Sequence, residues 1–207
     1  MLSVSGAARR IGDQRLFTDL SLELDRGSCA AVVGPNGAGK SSLLRCIVDD
    51  DLLDAGTVTI DGRPPNDRSP DFRSLVAVEL GDQAAYFDVT LAEHLTLLAA
   101  AHRMVRPDVI GALRDAGLAA LHDRFPHTLS TGQGRRFALA ALFLRPSGLI
   151  VIDEPELGLD TDGQEWVAEK ITAAKESGRA VLIATHSPLL VERCADTVLA
   201  LGDGADR

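Results

Sequence analysis

Four clusters along this 207-residue chain have residue types and spacings that could do chemistry. The first, Gly34-Pro35-Asn36-Gly37-Ala38-Gly39-Lys40-Ser41, fits the spacing G-x-x-x-x-G-K-[ST]. Glycines in such a loop let the backbone curl until successive N–H groups face phosphate oxygens, and a helix starting there presents its positive end. Lys40 would neutralise the outer phosphates, and the Ser41 hydroxyl would take one position on Mg²⁺, a cation that demands oxygen ligands. The second cluster, Asp153-Glu154, closes the apolar run Leu149-Ile150-Val151-Ile152. Asp153 there would hold the Mg²⁺ shell through water, and Glu154 would polarise a water attacking a γ-phosphate, a general-base role. Alone, an acidic strand end before Pro155 is commonplace and carries little weight.

The third cluster is Leu129-Ser130-Thr131-Gly132-Gln133. Ser130 and Gln133 have capping-box spacing, so the stretch reads either as a plain helix start or as a helix N-terminus offered to a phosphate. The fourth is His186, after the apolar run Val181 to Ala184 and Thr185. A lone histidine is more often structural than catalytic.

These residues need elements to hold them. Leu2 to Val4 is expected as an edge strand, and Gly12-Asp13 as a turn. Leu20, Leu22 and Leu24 alternate with polar residues, the pattern of a half-buried strand. Ala30 to Val33 reads as a buried strand running into the glycine loop, and Leu43 to Val48 as the helix beyond it. Thr57 to Ile60 then forms a strand that turns at Asp61-Gly62. Thr90-Leu91-Ala92-Glu93 fits a capping box, with Leu91, Leu95 and Leu98 on one helical face. A second helix, Val109 to Ala116, ends at Gly117, so the stretch from about 85 to 130 is mostly helical. Leu149 to Ile152, Val181 to Ala184 and Val198 to Leu201 are expected as buried strands. A helix over Trp166 to Lys175 stops at Gly178. This alternation predicts a mainly parallel sheet with helices on both sides.

Composition removes several function classes. Hydrophobic residues at 45% and charged residues at 25% suit a globular domain rather than a disordered chain. No apolar run nears the ~20 residues of a membrane-spanning helix. Arg9 and Arg10 are not followed by the apolar run of a signal peptide, so the expected address is the cytoplasm, with no direct membrane insertion. A net charge of -9 would repel a nucleic-acid backbone, and no nucleic-acid partner is expected. Aromatic content of 4% leaves little material for base stacking. Cys29, Cys46 and Cys194 form no C-x-x-C pair and read as buried thiols rather than a zinc site.

Taken together, the four clusters resemble, in order and spacing, the ATP-binding cassette (ABC) ATPases, the nucleotide-binding subunits of ABC transporters. Gly34 to Ser41 is similar to the Walker A loop and Leu149 to Glu154 to the Walker B strand. Leu129 to Gln133 resembles the family signature usually written LSGGQ. Glu154-Pro155-Glu156-Leu157-Gly158-Leu159-Asp160 resembles the Walker B glutamate running into the D-loop with Asp160, and Thr185-His186 the switch histidine.

The resemblance implies an α/β P-loop NTPase: a RecA-like core, an N-terminal antiparallel β subdomain and an inserted ABC helical subdomain. Residues 1–82 and 131–207 would form the core and β subdomain, and about 83–130 the helical subdomain. It implies ATP and Mg²⁺ as ligands, nucleotide binding by Gly34 to Ser42, and catalysis by Glu154, His186 and Lys40. The metal ligands would be Ser41, Asp153 and Gln83, the one glutamine in the Q-loop region. Two copies, or this chain and a paralogue, would sandwich ATP, with Ser130, Thr131, Gly132 and Gln133 acting on the partner's nucleotide. A separate transmembrane permease would hold the chain at the inner face of the membrane and be driven by ATP-dependent closure.

Three positions depart from the family pattern. Thr131 stands at the first signature glycine. Ile11 occupies the place of the aromatic that stacks on adenine, with Phe17 a weaker substitute on spacing. Family spacing puts Gly81, not Gln83, at the Q-loop glutamine. The compact length resembles small ATPase subunits of bacterial exporters, including the haem-exporter type. Two other readings belong to different classes: a soluble ABC ATPase, for example in cluster assembly, or a regulatory module that only binds nucleotide.

Overall fold

A computed structural model describes residues 1–81 and 88–202. Three strands form an antiparallel sheet: β1 (Leu2–Ile11), β2 (Gln14–Leu24) and β4 (Ala55–Ile60), in the order β2-β1-β4. Five more form a parallel sheet in the order β5-β6-β7-β3-β8. These are β3 (Cys29–Val33), β5 (Val76–Glu79), β6 (Leu149–Asp153), β7 (Ala180–Ala184) and β8 (Thr197–Ala200). The helices are α1 (Lys40–Ile47), α2 (Pro70–Leu75), α3 (Leu91–Ala101), α4 (Val109–Asp115), α5 (Thr131–Leu144), α6 (Thr161–Glu176) and α7 (Pro188–Cys194).

The parallel sheet is covered on both faces, and strand parity decides which residue goes where. Ala30, Val32, Leu149, Val151, Leu182 and Ala184 pack with Leu2, Val4, Leu22 and Leu24 of the antiparallel sheet and with Leu43, Leu44 and Ile47 of α1. The alternate residues Ala31, Ile150, Ile152, Val181 and Ile183 face the layer built from α3 to α7. A strand buried on both faces needs a continuous apolar run, which is what these segments carry.

Two strand expectations are corrected. The first strand is not a three-residue edge: β1 spans ten residues and is the central strand of its sheet. Its register shifts between Val4 and Ala7, around Gly6 at φ 57°, and this irregularity breaks the period-2 alternation that a sequence reading depends on. The last strand is not buried. β8 lies at the sheet edge beside β3, and Val198 is 51% exposed.

The turns at Gly12-Asp13 and Asp61-Gly62, the Thr90/Glu93 capping box and the stop at Gly178 (φ 82°) stand where expected. All three cysteines are free and buried. Burial pushes the Cys29 thiol up to about 12 and those of Cys46 and Cys194 up to about 11, so all three are protonated and unreactive near neutral pH.

Candidate active site

The site gathers at the C-terminal ends of three neighbouring strands, β6, β7 and β3, where crevices of open α/β sheets form. β3 runs into the glycine loop. Gly34 has φ 150°, and a Cβ there would lie 2.3 Å from the Leu201 carbonyl oxygen, so no side chain fits. At the loop's far end Gly39 is left-handed (φ 94°) and caps α1 without any side-chain hydrogen bond. The first N–H groups of α1 therefore have no side-chain acceptor, the condition for anion binding at a helix start.

Lys40 is buried, and its ammonium has a full set of acceptors. It donates to Gly34 O at 3.0 Å, to Pro35 O at 3.1 Å and to His186 Nε2 at 2.9 Å. With Nε2 accepting, the neutral ring carries its proton on Nδ1. The same Nε2 lies 3.7 Å from Glu154 Oε1, so Lys40, His186 and Glu154 converge on one spot. Asp153 ends β6, and its Oδ1 is buried with no hydrogen-bond partner. Ser41 is exposed in the first turn of α1.

Glu154 sits in the left-handed region (φ 46°), a conformation a residue with a Cβ adopts only when its surroundings enforce it. Its N–H donates to Ala184 O at 2.8 Å, which ties the turn to β7.

Charged groups that the sequence reading left without a role surround this turn. Glu156 Oε1 accepts from Thr185 Oγ1 (2.7 Å), His186 N (2.6 Å) and Ser187 N (3.1 Å), and so fastens the loop that carries His186. Arg135 of α5 donates to the carbonyls of both Asp153 and Glu154 at 2.7 Å, and to Glu79 Oε1 at 2.8 Å. One sequence signal pointed to Arg135: it shares the buried face of α5 with Ala138, Leu139 and Leu142, where a charge is out of place unless it is paired. No comparable signal marks Glu156, whose partners are 29 to 31 residues away.

The Ser130–Gln133 cluster is arranged differently. Gln133 N donates to Ser130 Oγ at 3.3 Å and Ser130 N to Gln133 Oε1 at 3.0 Å, a complete capping box. Gly132 packs beside Gly158: a Cβ added to it would lie 3.0 Å from the Gly158 carbonyl oxygen. Asp160 caps α6 through Gly163 N at 2.8 Å and pairs with Arg136 at 3.2 Å. The Gly163 bond first, and the guanidinium second, hold its carboxyl below the usual range. Ile11 is 56% exposed at the end of β1, whereas Phe17 is buried, with its ring near Gly39. Gln83 lies outside the described residues.

The chain as a whole is similar to known proteins of one kind. The family model described as ABC transporter matches residues 17–156. The chain is 33% identical to a phosphonates import ATP-binding protein of Natronomonas pharaonis, over 99% of this chain and 91% of that protein. It is 38% identical to a cytochrome c biogenesis ATP-binding export protein of Pseudomonas savastanoi, over 84% of this chain and 82% of that one. Among solved structures, an ATP-binding subunit of an ABC transporter superposes with a TM-score of 0.87 at 29% identity, over 98% of this chain and 86% of the other. A dimeric cassette in a post-hydrolysis state with ADP and phosphate shares the fold, with a TM-score of 0.83 at 23% identity, covering 99% and 95%. The chain belongs to the ABC transporter family and has the fold of its ATP-binding subunits.

Proposed function

We propose that the Gly34–Ser42 loop holds the phosphates of ATP, that Lys40 and His186 meet the γ-phosphate, and that Glu154 is the general base. The observation that carries this reading is the convergence of Lys40, His186 and Glu154, within 2.9 and 3.7 Å of one another through His186 Nε2, at the lip of the phosphate loop. All three Lys40 protons are taken by groups of the chain itself, so a phosphate oxygen entering here exchanges for the loop carbonyls or for His186. Glu154 takes the proton of the attacking water as its oxygen bonds to the γ-phosphorus, and the bond to the ADP oxygen breaks.

The residues present fit Mg²⁺: the Ser41 hydroxyl is accessible, and the buried, unpartnered Asp153 Oδ1 is a hard oxygen donor that a hydrated cation would satisfy. When bound, the ion would offset phosphate charge. Gln83 joins them on sequence position alone.

The signature residues would act on a second cassette. Ser130 and Gln133 bond one another within α5, and the family resemblance implies that ATP bound at α1 would meet Ser130, Thr131 and Gly132 of an opposing copy or paralogue as the two close. One neighbour of the same fold is described as a dimer with ADP and phosphate.

The work would be done on a separate transmembrane permease. The relatives named above are an import and an export ATP-binding protein, and no helix among the described residues is long and apolar enough to cross a membrane. The chain would then sit peripherally at the membrane's inner face. Residues 83–130, which include α3 and α4, would be the helical section that meets the permease. A cleft of about 760 Å³ between α1, α2, β5 and the end of α3 lies beside it.

The test is Glu154→Gln in the purified chain, assayed for turnover, ATP binding and dimer formation. Loss of about 100-fold or more in kcat is expected, with ATP binding retained and the closed dimer trapped. Turnover at the parent rate would remove Glu154 as the base.

A further inference from the structure

The turn that presents Glu154 is fixed by a group outside the reacting set. Arg135 is 8% exposed, and its guanidinium is divided between two tasks. Nη2 donates to the carbonyls of Asp153 and Glu154, the two peptide units that set the left-handed conformation of Glu154. Nη1 donates to Glu79 Oε1, whose side chain is 12% exposed, and the same oxygen accepts from Gly81 N at 3.2 Å. Glu79 is the last residue of β5, and with Leu80 it lines the cleft that also carries Arg45, Arg73, His102 and Arg145. One planar fork therefore spans α5, the end of β5 and the end of β6. A fork with several fixed donors can do this; a single ammonium cannot satisfy the same three acceptors in the same plane.

We propose that Arg135 is a positioning residue for Glu154, and that Glu79 sets Arg135. The pair links the wall of the cleft to the general base. This rests on Glu154 being the base.

The experiment compares kcat, KM for ATP and thermal midpoint in the purified chain. Arg135→Lys keeps the charge beside Glu79 but loses the fork. Its kcat is expected to fall about tenfold or more, with KM within about twofold of the parent and the thermal midpoint nearly unchanged. Glu79→Leu with Arg135→Met removes the buried charges together, a replacement that buried ion pairs often tolerate, so this chain is expected to fold and to show the same low kcat. Glu79→Gln leaves both carbonyl bonds intact. It is expected to lower kcat less than Arg135→Lys and to add little on top of it; fully additive losses would remove Glu79 from the device.

Parent kcat in Arg135→Lys or in the double variant overturns the proposal. So does a fall in kcat that follows a fall in stability and recovers at lower temperature. Glu154→Gln assayed alongside separates the two possible failures. If it is inactive while Arg135→Lys turns over normally, only the positioning role is lost; if it turns over normally, the assignment of the base is lost.

Discussion

Two helix N-termini in this molecule carry the residues expected to meet phosphate, and they are built in opposite ways. α1 begins at a left-handed glycine with no side-chain cap, so its first N–H groups are left for a ligand, and Lys40 stands beside them. α5 begins with a closed capping box in which Ser130 and Gln133 satisfy each other. The first leaves its helix N–H groups without a side-chain cap. The second is a finished helix start whose hydroxyl has a proton to spare, because Ser130 Oγ only accepts in the box. A phosphate at α5 would have to share the helix end with its cap, which would suit the proposed role of a group that engages only as two cassettes close.

The sharpest way to break this contrast is Lys40→Ala. Removing the charged donor is expected to weaken ATP binding by about 100-fold, the upper range for a hydrogen bond to a charged group, as read by calorimetry. An unchanged affinity would put the phosphates elsewhere. Next is Ser130→Ala, which should leave ATP binding to the isolated cassette unchanged. It should lower kcat by about tenfold and cost about 1 kcal/mol of stability through the lost cap. Loss of binding in the isolated chain would mean that α5 serves the nucleotide of its own copy.

Two smaller effects sharpen the comparison. Ile11→Tyr would place a ring at the exposed end of β1, where an aliphatic side chain now stands. It is expected to tighten ATP binding by about 0.5–1.5 kcal/mol, visible as improved selectivity over non-stacking analogues. Thr131→Gly removes a β-branched side chain that packs near Gly158 and should change kcat by no more than about threefold. A larger change would show that the threonine sets the geometry of the signature turn.

Local signals made much of this legible. The geometry of the glycine loop is legible because it lies in the backbone: spacing alone dictates where its glycines and Lys40 fall. The doubly buried strands β3, β6 and β7 could be read because an apolar run bounded by turns has few alternatives. The helices α2 and α7 are too short to show a period, although Ser69-Pro70 and Ser187-Pro188 supply an N-cap followed by proline at the first helical position. The sequence pattern hides the central position of β1 because its bulges interrupt the alternation, and it hides the edge position of β8 because an apolar run does not reveal what lies beside it.

The sequence by itself determined the glycine loop and the acidic pair at the end of β6, each encoded within a few residues, and, through the order and spacing of its four clusters, the family. Only the tertiary structure decided that Arg135 would grip the turn at Glu154 across 19 residues and Glu79 across 56, that Glu156 would fasten the His186 loop, and that Lys40 would rest against His186 across 146. The physical reason is that periodicity records which face of an element is buried but not which element packs against it. A directional hydrogen bond between distant residues exists only once the sheet order and the helix positions have brought donor and acceptor within reach.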